Sequence, residues 1–156
     1  MNNGADIAVF SPDNKLKLVV EVKGIRGVGP EWASQFRRNL LAHHAIPRSQ
    51  FFLLALPDQM YLWKNGSDVV ETRAPDFVID SSPIISTYLH GSVEHTANSG
   101  QALELVFASW LNLLTISSLS EDKVAPHEMW LLESGLYEAI KNGSVETVDS
   151  SHECLH

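Results

Sequence analysis

The chain has 156 residues, 44% of them hydrophobic, and a formal net charge of −8. That is enough apolar material for one compact unit with its own core, while no apolar run reaches the roughly 18 residues a membrane span requires. A lone cysteine, Cys154, excludes both a disulfide framework within the chain and a zinc site built from cysteines. The acidic total argues against a nucleic-acid partner only until the chain is divided. Residues 1–50 hold seven lysines and arginines against four acids, a local +3, and the remainder carries −11. Phosphate contact depends on local rather than total charge. No basic-then-apolar leader precedes Asp6, so a cytoplasmic protein is expected.

Taken in chain order, Asp6 to Phe10 is a short apolar strand, Ser11-Pro12-Asp13-Asn14 a turn, and Leu16 to Lys23 a second strand. The pair reads as a hairpin. Strand alternation sets Leu18, Val20 and Val22 on one face and Asp6, Glu21 and Lys23 on the other, with Asp6 opposite Val19 or Glu21. Gly24-Ile25-Arg26-Gly27-Val28-Gly29 is a flexible connection, and Pro30 with Glu31 opens a helix running to about His44. Trp32, Ala33, Phe36 and Leu40 form its apolar stripe, with Gln35 and Asn39 on the border and Arg38 toward solvent. Phe51 to Leu56 has the length and continuous hydrophobicity of a buried strand, ended by Pro57-Asp58. Met60 to Trp63 is a further strand closed by Asn65-Gly66.

Beyond residue 70 a short element lies around Val78-Ile79, a helix from Pro83 to Leu89, and a polar loop containing Gly91 and Asn98. Ser99 is a candidate cap for a helix from Gly100 to Ile116, apolar over most of its circumference and therefore buried or self-associating. A last helix is expected over His127–Lys141, stopped by Asn142-Gly143. The expected organisation is a single unit over 1–149, with a motif-bearing core at about 5–64, a helical part at about 83–142, and a flexible tail at 150–156.

Several patterns carry chemistry. Two carboxylates and an ammonium, Asp6, Glu21 and Lys23, can be gathered around one point by a hairpin, although charged edge hairpins also occur simply as solvated surface. Gly24-x-x-Gly-x-Gly lacks the Gly-Lys-Ser/Thr of a phosphate loop and reads as a connector. His43-His44 suits a helix C-terminus better than a metal site. Asp76 and Asp80 suit turns and caps, and Trp32, Trp63, Trp110 and Trp130 suit the core or an interface.

Asp6 after Ala5, Glu21-Val22-Lys23, Gln35 on the following helix and the apolar strand at 51–56 together resemble the PD-(D/E)XK nuclease superfamily over about residues 5–64. The resemblance implies an α/β (α+β) fold: a restriction-endonuclease-like mixed central sheet flanked by helices, with additional C-terminal helices. It implies a metal-dependent (endo)deoxyribonuclease, endo- or exonuclease action being left open, in which Asp6, Glu21 and the Val22 main-chain carbonyl hold magnesium or manganese. Lys23 would position water and Gln35 would support the site, giving Asp6, Glu21, Lys23 and Gln35 as the catalytic set. Arg26, Arg37 and Arg38, with Arg48, are then the candidate phosphate contacts on a DNA partner. Ala5 stands where the family usually has proline. The family core also opens with a helix and a strand before the first acid, so the resemblance is to a form shortened at the N-terminus, one that takes these elements from the chain's second half or from a partner, or one that is inactive. A homodimer through the 100–116 helix and a noncatalytic nuclease-fold module binding DNA or protein are the alternatives.

Overall fold

The computed structural model describes residues 5–64, 72–89 and 100–147. Among the described residues six strands make one mixed sheet: β1 Ile7–Phe10, β2 Leu16–Val22, β3 Phe51–Ala55, β4 Gln59–Lys64, β5 Phe77–Asp80 and β6 Ser144–Thr147. Their spatial order is β5-β4-β3-β2-β1-β6. Only β2 and β3 run parallel, and the helix between them, α1 (Pro30–Ala42), makes the crossover. The remaining helices among the described residues are α2 (Ser82–Tyr88), α3 (Gly100–Ile116), α4 (Met129–Glu133) and α5 (Leu136–Ile140), with a 3-10 turn at Pro126–Glu128. Mixed α/β architecture with a helix-flanked sheet therefore agrees with expectation. The Asn65-Gly66 stop, the loop with Gly91 and Asn98, the Ser99 cap and the 150–156 tail fall outside the described residues.

Both faces of the sheet are covered, which explains why β3 is apolar at every position. Leu18, Val20 and Val22 join Ile7, Val9, Leu53 and Leu62 against α3, α4 and α5. Val19, Phe52, Leu54, Tyr61 and Trp63 face Ala33 and the partly buried Trp32, Phe36 and Leu40 of α1. Asp6, Glu21 and Lys23 belong by alternation to this second face.

The hairpin register depends on one extra residue. The turn closes through hydrogen bonds from Ser11 N to Lys15 O (2.9 Å) and Asn14 N to Ser11 O (2.8 Å), leaving Phe10 opposite Leu16. Continued regularly, that pairing would oppose Asp6 to Val20 and turn Lys17 into the core. The register instead shifts between Val9 and Phe10, so Val9 pairs with Leu18 and Ile7 with Val20. Lys17 is the bulged residue, and the hydrophobic pattern is what enforces it: every side chain beyond the bulge returns to its proper face.

Two expectations change at the C-terminal end. The helix foreseen over 127–141 is broken into a 3-10 turn, α4 and α5, because Gly135 adopts φ 85° and the Ser134 hydroxyl receives the Leu136 N–H at 3.1 Å. The chain then turns at Asn142 (φ 61°) and forms β6, a strand not foreseen, which pairs antiparallel with β1. Gly143 permits that approach: a Cβ there would lie 2.0 Å from the Phe10 carbonyl oxygen. Similarly, α1 ends at Ala42 rather than His44, since His44 takes φ 54°. α3 has the foreseen limits, with Leu103, Phe107, Trp110, Leu111 and Leu114 buried and Leu105, Leu113 and Ile116 left 67%, 52% and 76% exposed.

Candidate active site

One step beyond the Ile7–Val20 pair, Asp6 stands opposite Glu21, and directly opposed residues of an antiparallel pair share a face. The chain of β1 is not paired through its backbone here; instead the Asp6 carboxylate Oδ2 accepts the Val22 N–H at 2.8 Å. On the other edge of β2, Lys23 N–H donates to the Ala55 carbonyl at 3.1 Å. The Val22–Lys23 peptide is trans, so its carbonyl points opposite to its N–H. The Val22 carbonyl is thus directed away from β3, toward the edge that carries Asp6. Asp6, Glu21 and the Val22 carbonyl therefore lie at the same end of the hairpin.

Glu21 is the unusual member. It is only 4% exposed, and its Oε2 is buried with no hydrogen-bond partner among the described residues. Burial, reinforced by the charge of Asp6 and only partly offset by Lys23, pushes its carboxyl up to about 8. Glu104 on α3 raises it further, a contribution from a long-range return of the chain for which the sequence carries no local signal. A cation in contact would favour the ionised form and supply the partner Oε2 lacks. Hard oxygen donors of this kind fit magnesium or manganese, which retain waters and complete their shell with substrate oxygens. Among the described residues no cluster of three or more acid, histidine or cysteine side chains suits a metal ion, so a third protein donor would be of another kind, such as the Val22 main-chain carbonyl.

Lys23 is half-buried and held over the Phe36 ring, with Nζ 5.6 Å from its centroid, while Phe36 stacks on Trp32 at 5.2 Å. These α1 aromatics fix the ammonium near the acids, a role that their placement on the apolar stripe did not suggest. The connection at 24–29 is tied down rather than free: Gly27 N–H donates to Asp58 Oδ2 at 3.0 Å and Tyr61 Oη to the Val28 carbonyl at 2.9 Å. Asp58 in the β3–β4 turn and Tyr61 on β4 thereby anchor the segment that leads into α1.

The other candidates separate clearly. Gln35 is exposed on α1, and no hydrogen bond joins it to either acid among the described residues. Arg26 and Arg38 are exposed, as is Arg48. Arg37 corrects the expectation of a surface phosphate contact: it is 1% exposed and its guanidinium lies over the Trp63 ring, 5.5 Å from the centroid. Its spacing from Ala33 and Ser34 puts it on the buried side of α1, a signal present in the sequence. Asp76 accepts from Lys64 N–H and pairs with Arg73, and Asp80 accepts the Ser82 N–H at the start of α2, matching their turn and capping roles. No helix among the described residues is long and apolar enough to cross a membrane. No family model, curated protein or solved structure matches the chain.

Proposed function

We propose that the chain is a magnesium-dependent nuclease of the PD-(D/E)XK type, hydrolysing DNA phosphodiester bonds at Asp6, Glu21 and Lys23. The observation that carries this reading is the buried Glu21 Oε2, without a hydrogen-bond partner among the described residues, on the residue opposite Asp6 in the hairpin. Asp6, Glu21 and the Val22 carbonyl would hold the ion, which when bound polarises the phosphate and lowers the pKa of an attacking water. Lys23, steadied by Phe36, orients that water or offsets charge developing on the phosphate oxygens. Arg26 and Arg38 contact the flanking phosphates, positioning the strand without reading its bases. Gln35 supports the site only through an altered rotamer or substrate contact, since it begins exposed.

The placement of β6 strengthens the reading. A restriction-endonuclease-like core needs a strand beside the one bearing the first acid, and β6 takes that edge of β1 after α4 and α5. The strand expected from the chain's second half or from a partner therefore has a candidate in β6. The test is cleavage of plasmid and linear DNA with magnesium or manganese by the wild type, Glu21→Ala and Lys23→Ala. Metal-dependent cutting should be lost in both variants, and cutting that survives Glu21→Ala would exclude this site. A noncatalytic DNA-binding module is the second reading, favoured by the small donor set; it predicts DNA binding without cutting under every metal condition.

A further inference from the structure

A second site lies away from Asp6 and Glu21 and shares no residue with them. A cavity of about 450 Å³ opens between α2, the C-terminal half of α3 and the segment entering α4. Its back wall is the Trp110–Trp130 pair, with ring centroids 6.1 Å apart and planes inclined at 33°, and Tyr88 adds a third aromatic side chain. Trp110 and Trp130 both sit in the core, so the wall is fixed by packing and needs no ordering when a ligand enters.

The charge around this aromatic wall is mainly acidic. Asp80 and Glu128 line the cavity, and among the described lining residues His127 is the only basic side chain, with no lysine or arginine. Asp80 Oδ1 accepts the Ser82 N–H at 2.9 Å, an arrangement that favours the carboxylate and fixes its direction. The Tyr88 hydroxyl is held above its ordinary value first by burial and then by the charge of Glu128, which lines the same cavity.

Three ligand classes meet this lining differently. An anion would approach two carboxylates with no guanidinium or ammonium to receive it. A neutral hydrocarbon would fill the apolar volume and desolvate the carboxylates without compensation. A cation on an apolar body satisfies both features, placing its charge against aromatic faces and carboxylates while its body occupies the pocket. We propose that this cavity binds a small organic cation, an ammonium group carried on an apolar or aromatic body.

The experiment uses the full chain, titrated by calorimetry with benzyltrimethylammonium, benzyl alcohol and benzenesulfonate, with the indole signals of Trp110 and Trp130 followed by NMR. Benzyltrimethylammonium should bind and move both indole signals, benzyl alcohol should bind at least about tenfold more weakly, and benzenesulfonate should not bind. Glu128→Gln should weaken the cation about tenfold while leaving benzyl alcohol unchanged, because only the charge has been removed. Asp80→Asn keeps an acceptor for the Ser82 N–H and provides a second variant, with a thermal melt confirming that each is folded. Absence of cation binding, equal binding of the neutral compound, unmoved indole signals, or indifference to both substitutions would overturn the proposal.

Discussion

Glu21 is where sequence and structure diverge most usefully. The sequence places it on the same face as Asp6, but not that its carboxylate is buried and pushed up to about 8. Between its ordinary value of 4.5 and about 8, the unfolded chain has released this proton while the folded chain keeps it. Stability of the metal-free protein therefore falls as pH rises through that window, the folded state binding more protons than the unfolded one. Urea unfolding across that range should show the decline, Glu21→Gln should flatten it, and saturating magnesium should also reduce it by favouring the ionised form. The same substitution should lower metal-dependent cleavage by about two orders of magnitude or more, since a neutral amide cannot replace a carboxylate donor. A stable, fully active Glu21→Gln protein would separate the buried acid from catalysis. Arg37 shows the opposite limit of reading residues singly: counted as a surface cation, it is a buried one over Trp63. Arg37→Ala should destabilise the fold by roughly 2–4 kcal/mol through lost packing and buried polar contacts, visible as a lower urea midpoint.

The hairpin and the α1 crossover were legible because each has a local signature: a Pro-Asp-Asn turn between alternating runs, and Pro30 opening an amphipathic stretch. The exact opposition of Asp6 and Glu21 was only one of two expected pairings, since it turns on the Lys17 bulge, where turn closure and core alternation compete. Deleting Lys17 converts the bulge to a regular ladder without changing the Ile7–Val20 pair, so metal binding should persist; its loss would show that the bulge itself shapes the site. β6 gave no comparable signal, because Ser-Val-Glu-Thr is short and half polar and its pairing with β1 is a long-range event. Nor did composition reveal that Gly135 would break the last helix, since a glycine within a helical pattern is often tolerated. Gly143→Ala tests the β6 edge directly. A Cβ 2.0 Å from the Phe10 oxygen forces the two strands apart, and a loss of about 1–3 kcal/mol should appear in chemical unfolding.

Across the whole molecule the division of charge decides how DNA would be met. The N-terminal part is basic while the rest repels phosphate, and the cavity walled by Trp110 and Trp130 extends that acidic character to a second ligand class. Arg26→Ala and Arg38→Ala should each weaken DNA binding across sequences and reduce its dependence on salt by about one unit of slope, as expected for phosphate contacts. A fluorescence titration at several salt concentrations measures both effects. The site itself is tested most directly by titrating manganese into isotopically labelled protein and following amide signals by NMR. Paramagnetic broadening should begin at Asp6, Ile7 and Glu21 to Lys23 and disappear in Glu21→Gln. Broadening centred elsewhere, or none at these residues in the folded wild type, would contradict the metal centre on which the proposed hydrolysis rests.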